Sequence, residues 1–335
     1  MQDIFQNFGI IGGGAWGTAL GQALIRAGRD ATLWAREPDV AATINARHEN
    51  TKFLSGIALN PRLKATNKLE DLASCDAWLL VVPTQHLRGV CKQLAAACKN
   101  KTTPVIICAK GIEQKKLALP SEVVANVLPS CPLAVLSGPT FAIEVARDQP
   151  TAMTLACVDA ALGNRVAQAI SSRTFRPYLS SDIIGAQMGG AIKNVLAIAC
   201  GIATGCGMGE NARAALITRG LAEMMRLASA LGAQTETLMG LSGLGDLILT
   251  CSSTQSRNMS LGVALGQGAK LDDIIAARHS VAEGVQTAAA ALELAEQHKV
   301  NMPIVEAVDA VLNHGASVDA SIEALLGRPL KEARA

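Results

Sequence analysis

Two charged residues stand out because the chain around each is apolar or small. Lys193 is the only charged residue between Asp182 and Glu210, and Asp246 the only one between Glu236 and Arg257. Burying either alone would cost several kcal/mol, so each needs a partner or a wet cleft. Their opposite signs place them in one site. If that site faces a redox cofactor, its chemistry is carbonyl reduction. Hydride transfer to a ketone develops alkoxide charge, which an ammonium stabilises and then protonates. In the oxidation direction the lysine accepts the proton. A dry pocket would lower its reference pKa of ~10.4, and the aspartate would raise it. The alternative is a buried ion pair that only fixes helix packing.

Next in the chain comes Cys251-Ser252-Ser253-Thr254-Gln255-Ser256-Arg257-Asn258. Hydroxyls, an amide and a guanidinium crowd together ahead of a predicted helix. That suits a phosphate, because arginine forks onto two oxygens and N–H groups cap the rest. An ordinary Ser/Thr-rich loop is the competing interpretation. Near the N-terminus, Phe8-Gly9-Ile10-Ile11-Gly12-Gly13-Gly14-Ala15-Trp16-Gly17 supplies strand, turn and helix start in sequence. Gly12, Gly14 and Gly17 fill G-x-G-x-x-G, which allows the tight turn, pyrophosphate approach and close helix–strand packing of a dinucleotide site.

The elements that must hold these groups follow from the pattern. Asp30 to Ala35 predicts a second strand closed by Arg36 and Glu37. An arginine there receives a 2′-phosphate, which points to NADP, while Glu37 keeps NAD open. Pro38 to about Asn50 predicts a helix. Asp76 to Val82 and Pro104 to Ala109 predict buried parallel strands, the second ending at Lys110-Gly111, a fair ligand contact. A further strand, Pro132 to Leu136, closes on the small residues Ser137 to Ala142. Strand-like pieces at 151–157 and 174–178 flank a helix near 159–171. Beyond Ser181 only helical segments follow. The fold class is therefore an N-terminal Rossmann-like, doubly wound α/β sheet plus an all-α C-terminal domain. The expected domains are 1–185, binding NAD(P), and 186–335, carrying substrate and catalysis.

Composition narrows the function. Net charge is +2 with no basic block, which excludes a nucleic-acid footprint. Nine cysteines lie without zinc spacing, as in a reduced, cytoplasmic protein. Met1 to Gln6 has no signal-peptide character. The long apolar run from Ile183 to Gly209 carries Lys193, Asn194, Gln187 and seven glycines, so a buried helix is expected and no stable membrane insertion. His48, His86, His279, His298 and His314 form no metal cluster, and no hydrolytic triad emerges.

Taken together these residues resemble the bacterial NAD(P)-dependent sn-glycerol-3-phosphate dehydrogenases. The resemblance runs nearly end to end, and is most specific at Ser137-Gly138-Pro139-Thr140-Phe141-Ala142 and Ile217-Thr218-Arg219-Gly220-Leu221-Ala222-Glu223-Met224. It implies reversible reduction of dihydroxyacetone phosphate to sn-glycerol 3-phosphate, feeding phospholipid synthesis, on a fold like that of 6-phosphogluconate dehydrogenase. Lys193 would then accept the proton, with Asp246 beside it. Lys110, Gly138, Thr140, Lys193, Asp246, Ser256, Arg257 and Asn258 would surround the substrate. Besides Gly12, Gly14 and Gly17, the cofactor (NADP or NAD) would meet Ala15, Trp16, Arg36, Phe53, Lys110, Ala142, Arg257, Val281 and Glu283. A homodimer is expected, and no metal. The competing functions are a β-hydroxyacid or 6-phosphogluconate type dehydrogenase, separable by substrate profile, and a non-catalytic NAD(P)H-binding regulator.

Overall fold

Phe8, Ile10 and Ile11 are wholly buried on β1 (Asn7–Ile11), an inner strand with a parallel neighbour on each side. The computed structural model describes residues 4–98, 102–277 and 282–329. After β1 come α1 (Ala15–Arg26), β2 (Asp30–Trp34), α2 (Pro38–Arg47), β3 (Lys64–Thr66), β4 (Ala77–Leu80) and α3 (Thr84–Ala97). Then follow β5 (Val105–Ile107), α4 (Pro120–Val127), β6 (Leu133–Ser137), α5 (Ala142–Ala146), β7 (Thr151–Ala156), α6 (Ala160–Ile170) and β8 (Phe175–Ser180).

These strands form one eight-stranded sheet in the order β3-β2-β1-β4-β5-β6-β7-β8. All neighbours are parallel except β6 and β7. The chain winds outward from β1 to β3 and resumes on the other side of β1 with β4. The carboxyl end of β1 is thus the topological switch point, where open α/β sheets take their ligands. Helix α1 packs against α5 and α6, and α3 packs with α4, giving the two helical layers. Ile10, Leu33, Leu79, Ile106, Leu136 and Leu155 form the centre of the core. At the edge strand, the carbonyls of Thr174 and Ser180 accept from β7-side amides. Pro177 therefore falls on the outer side, where its missing N–H breaks no ladder bond.

The remaining described elements are all helical: α7 (Ile183–Gly205), α8 (Gly209–Ala230), α9 (Thr235–Met239), a π turn at Leu241–Gly245, α10 (Asp246–Cys251), α11 (Arg257–Gly266), α12 (Leu271–Ala276), α13 (Glu283–Gln297), α14 (Pro303–Asn313) and α15 (Val318–Leu326). The chain divides into two compact units, Met1–Ala109 with Leu119–Ala186, and Lys110–Ala118 with Gln187–Ala335. Helix α7 is long and apolar enough to cross a membrane, yet 89% of its most apolar stretch is buried. Apolar residues all round its surface make it a core helix.

Candidate active site

In the first unit the glycine turn leaves β1 at the switch point. Gly12 has a φ of +134°, and a Cβ on Gly17 would fall 1.9 Å from the Gly12 carbonyl oxygen, so neither position accepts a side chain. Gly14 precedes α1, and nothing lies within 4 Å of the place its Cβ would take. Helix α1 starts with neither a side-chain cap nor an acidic residue in its first turn. No side chain therefore caps its first N–H groups, which lie at the positive end of the helix dipole. These residues fit the pyrophosphate of a dinucleotide.

Ala15, Trp16, Phe53 and Ala142 are half-buried on the core of this unit, and the Trp16 indole N–H is buried without a hydrogen-bond partner. Past the end of β2, Arg36 pairs with Glu37 at 2.9 Å, its own side chain 75% exposed. Burial opposes the Glu37 charge, yet bonds to Arg36 and to backbone, with Lys52 nearby, hold its carboxyl below the usual range. After β6, Gly138 is buried and Thr140 half-buried, the Thr140 hydroxyl donating to the Gly138 carbonyl at 3.3 Å.

The second unit holds the lysine and the carboxylate. One turn before Lys193, a Cβ on Gly189 would fall 2.2 Å from the Ser242 carbonyl oxygen. That glycine lets α7 lie against the π turn that leads into Asp246. Lys193 Nζ donates to Asp246 Oδ1 at 2.5 Å and to Thr250 Oγ1 at 2.9 Å. Lys110, in the 110–118 segment that groups with this unit, donates to Asp246 Oδ2 at 2.6 Å. Asp246 is wholly buried. Burial drives the Lys193 ammonium from 10.5 down to about 8; Asp246 opposes that shift and Lys110 adds to it. Two ammonium groups share one carboxylate, so the cluster is net positive and suits an anion or a developing alkoxide.

Thr250 is the member that the sequence did not announce. Its hydroxyl donates to Asp246 Oδ1 at 3.2 Å while accepting from Lys193. The available signal was its spacing, one helical turn after an isolated aspartate and so on the same face.

The 251–258 segment does lead into a helix, α11. The Ser256 oxygen caps it by accepting from the Met259 amide at 3.2 Å, and the Arg257 side chain is exposed. Asn258 donates to Asn194 Oδ1 at 3.0 Å and accepts from the Gly284 amide at 3.1 Å. Its amide thus ties α11 to α7 and to the start of α13, where Glu283 is half-buried. Val281 lies outside the described residues.

A doubly wound sheet with an uncapped glycine turn at its switch point, and a helical unit burying a lysine–aspartate cluster, define a two-part NAD(P)-dependent oxidoreductase. Comparison with known proteins agrees. Residues 7–163 match the profile of the NAD-dependent glycerol-3-phosphate dehydrogenase N-terminus, and residues 182–323 that of its C-terminus. The NAD(P)+-dependent glycerol-3-phosphate dehydrogenase of Rhodospirillum rubrum is 57% identical over 99% of this chain and 95% of its own. That of Maricaulis maris is 55% identical over 97% of each chain. The crystal structure of glycerol-3-phosphate dehydrogenase from Coxiella burnetii superimposes with a TM-score of 0.92 at 38% identity, covering 97% of this chain and 99% of that one. The chain belongs to the NAD-dependent glycerol-3-phosphate dehydrogenase family.

Proposed function

We propose that the chain reversibly reduces dihydroxyacetone phosphate to sn-glycerol 3-phosphate, with Lys193 moving the proton. The observation that carries this role is the buried Lys193 ammonium held by Asp246 Oδ1 at 2.5 Å and by Thr250 Oγ1 at 2.9 Å, where burial brings its pKa down to about 8. A group in that range both gives and takes a proton near neutrality. The nicotinamide, when bound, supplies or receives the hydride at the carbinol carbon. In reduction the carbonyl oxygen gains negative charge as its carbon gains the hydride, and Lys193 stabilises and then protonates it. In oxidation neutral Lys193 takes the hydroxyl proton. Asp246, bonded to both lysines, orients Lys193 and balances its charge, and Thr250 restricts the amine further. Arg257, at the start of α11, is assigned to the substrate phosphate, with Ser256 and Asn258 shaping that end. Lys110, Gly138 and Thr140 complete the substrate contacts. Gly12, Gly14, Ala15, Trp16, Gly17, Arg36, Phe53, Ala142, Val281 and Glu283 are assigned to the cofactor. Residues 1–185 serve as the cofactor domain, and 186–335 as the substrate domain.

The same proposal places the enzyme in the cytoplasm, supplying phospholipid synthesis; the nine free thiols support a reducing compartment. It includes a homodimer, supported by large apolar side chains left exposed, among them Val158, Tyr178 and Leu326. The test compares NADH and NADPH consumption with dihydroxyacetone phosphate and with its dephosphorylated form. Turnover confined to the phosphorylated ketone is expected, and K193A should lose about a hundredfold or more in kcat while still binding cofactor. A K193A enzyme of undiminished rate would overturn the assignment.

A further inference from the structure

Three consecutive glycines, Gly12-Gly13-Gly14, precede α1, and such a run is conformationally loose on its own. A phosphate site needs the opposite, a set of N–H groups already aimed. The ordering comes from the loop after α2. Asn50 is 1% exposed. Its Nδ2 donates to the Gly13 carbonyl at 2.9 Å and to Thr18 Oγ1 at 2.8 Å, and its Oδ1 accepts from the Phe53 amide at 3.2 Å. Both donors and the acceptor of the side chain are used, which fixes the orientation of the amide.

The consequence lies in peptide geometry. In a trans peptide the C=O of Gly13 and the N–H of Gly14 point in opposite directions. A Gly13 carbonyl held toward Asn50 therefore aims the Gly14 N–H away from the loop. The next peptide is held in the same way, because Thr18 Oγ1 donates to the Gly14 carbonyl at 2.9 Å, which directs the Ala15 N–H. Asn50 bonds that same Thr18 oxygen, so it holds the Gly13 peptide directly and supports the Gly14 peptide, whose carbonyl also accepts from the Thr18 amide at 3.0 Å. A second strap keeps the loop in place: Gln22 of α1 donates to the Ala58 carbonyl at 3.2 Å and accepts from the Asn60 amide at 2.9 Å.

We propose that Asn50 is a positioning residue for the cofactor, holding the glycine turn with its N–H groups preset for the pyrophosphate and fastening the Phe53 loop beside it. This rests on the assignment of the glycine turn to the dinucleotide. Asn50 touches no reacting atom, so its loss should appear in cofactor affinity and not in the chemical step.

The experiment measures NADPH dissociation constants by fluorescence, with KM and kcat for both substrates, in wild type, N50A, N50D, T18V and N45A. N50A is expected to weaken NADPH binding and raise its KM about tenfold, the worth of a lost buried hydrogen bond. The kcat at saturating cofactor and the KM for dihydroxyacetone phosphate should stay within about twofold. N50D should bind more weakly still, since a carboxylate oxygen then faces the Gly13 carbonyl beside an anion site. N45A is the control for the loss of side-chain bonds that do not reach the glycine turn: Asn45 exchanges two bonds with the Ala65 backbone. It should lower Tm without changing NADPH affinity. Wild-type affinity in N50A, or an equal loss in N45A, overturns the proposal. If N50A does not fold, T18V decides, a loss of about threefold supporting the proposal and none refuting it. Failure of the wild-type protein to bind either NADPH or NADH would instead remove the cofactor assignment beneath it.

Discussion

Lys193 Nζ lies 2.5 Å from Asp246 Oδ1, although the two residues stand 53 positions apart in the chain. Nothing local to either segment requires the contact. It exists because α7 and the π turn before Asp246 approach closely enough to bring an isolated cation and an isolated anion together in a dry interior. Burial lowers the lysine; the aspartate opposes that shift but also bonds Lys110, whose charge adds to it.

The first prediction concerns pH. With the Lys193 pKa at about 8, the rate of ketone reduction should fall as pH rises through about 8, because reduction needs the ammonium. The rate of alcohol oxidation should rise through the same region, because it needs the amine. Lys110 helps to lower the pKa, so K110M should move both inflections upward. Profiles of kcat in the two directions check this. Curves without an inflection between about pH 7 and 9, or an unmoved K110M profile, would separate Lys193 from the proton transfer.

A second prediction compares two ways of breaking the pair. K193M leaves Asp246 bonded to Lys110, so the carboxylate keeps a partner. D246N takes from the buried Lys193 ammonium its carboxylate partner, a type of loss worth about 3–5 kcal/mol. D246N should therefore lower Tm far more than K193M, although both abolish turnover. Thermal unfolding of the two proteins side by side is sufficient. Equal stability would mean that Lys193 does not rely on Asp246 for its burial.

The sheet and the helical half were legible because apolar runs and glycine turns have local periods, and the Lys193/Asp246 pair because lone charges in apolar segments demand partners. Other features had no local signal. The run at 151–157 reads as a strand in either direction, so the antiparallel turn of β7 against β6 could not be read from it. Lys110 reads as a strand-end ligand contact, and its bond to Asp246 spans 136 positions that no pattern links. The 110–118 segment groups with the helical unit, which one cut in the sequence cannot represent. Asn50 reads as the end of the helix predicted from Pro38; α2 stops at Arg47, and the carbonyl and hydroxyl partners of Asn50 lie elsewhere in the chain.

Glu223 gives the last prediction, on stability and not on catalysis. Its side chain is 2% exposed and accepts from the Ile304 and Val305 amides at 2.9 and 3.3 Å, replacing the cap that Met302 cannot provide for α14. Burial raises its carboxyl from 4.5 to about 7, against the pull of those two amides and of Arg226 and Arg328. A folded pKa above the unfolded one means that the proton is bound more tightly by the native state. The stabilisation is complete below about 4.5 and is lost as pH rises through about 7, a change on the order of 3 kcal/mol. E223Q keeps a carbonyl oxygen for the amides and carries no charge at any pH. Its Tm should therefore match wild type near pH 4 and exceed it increasingly up to about pH 7, a gap that parallel curves for the two proteins would rule out.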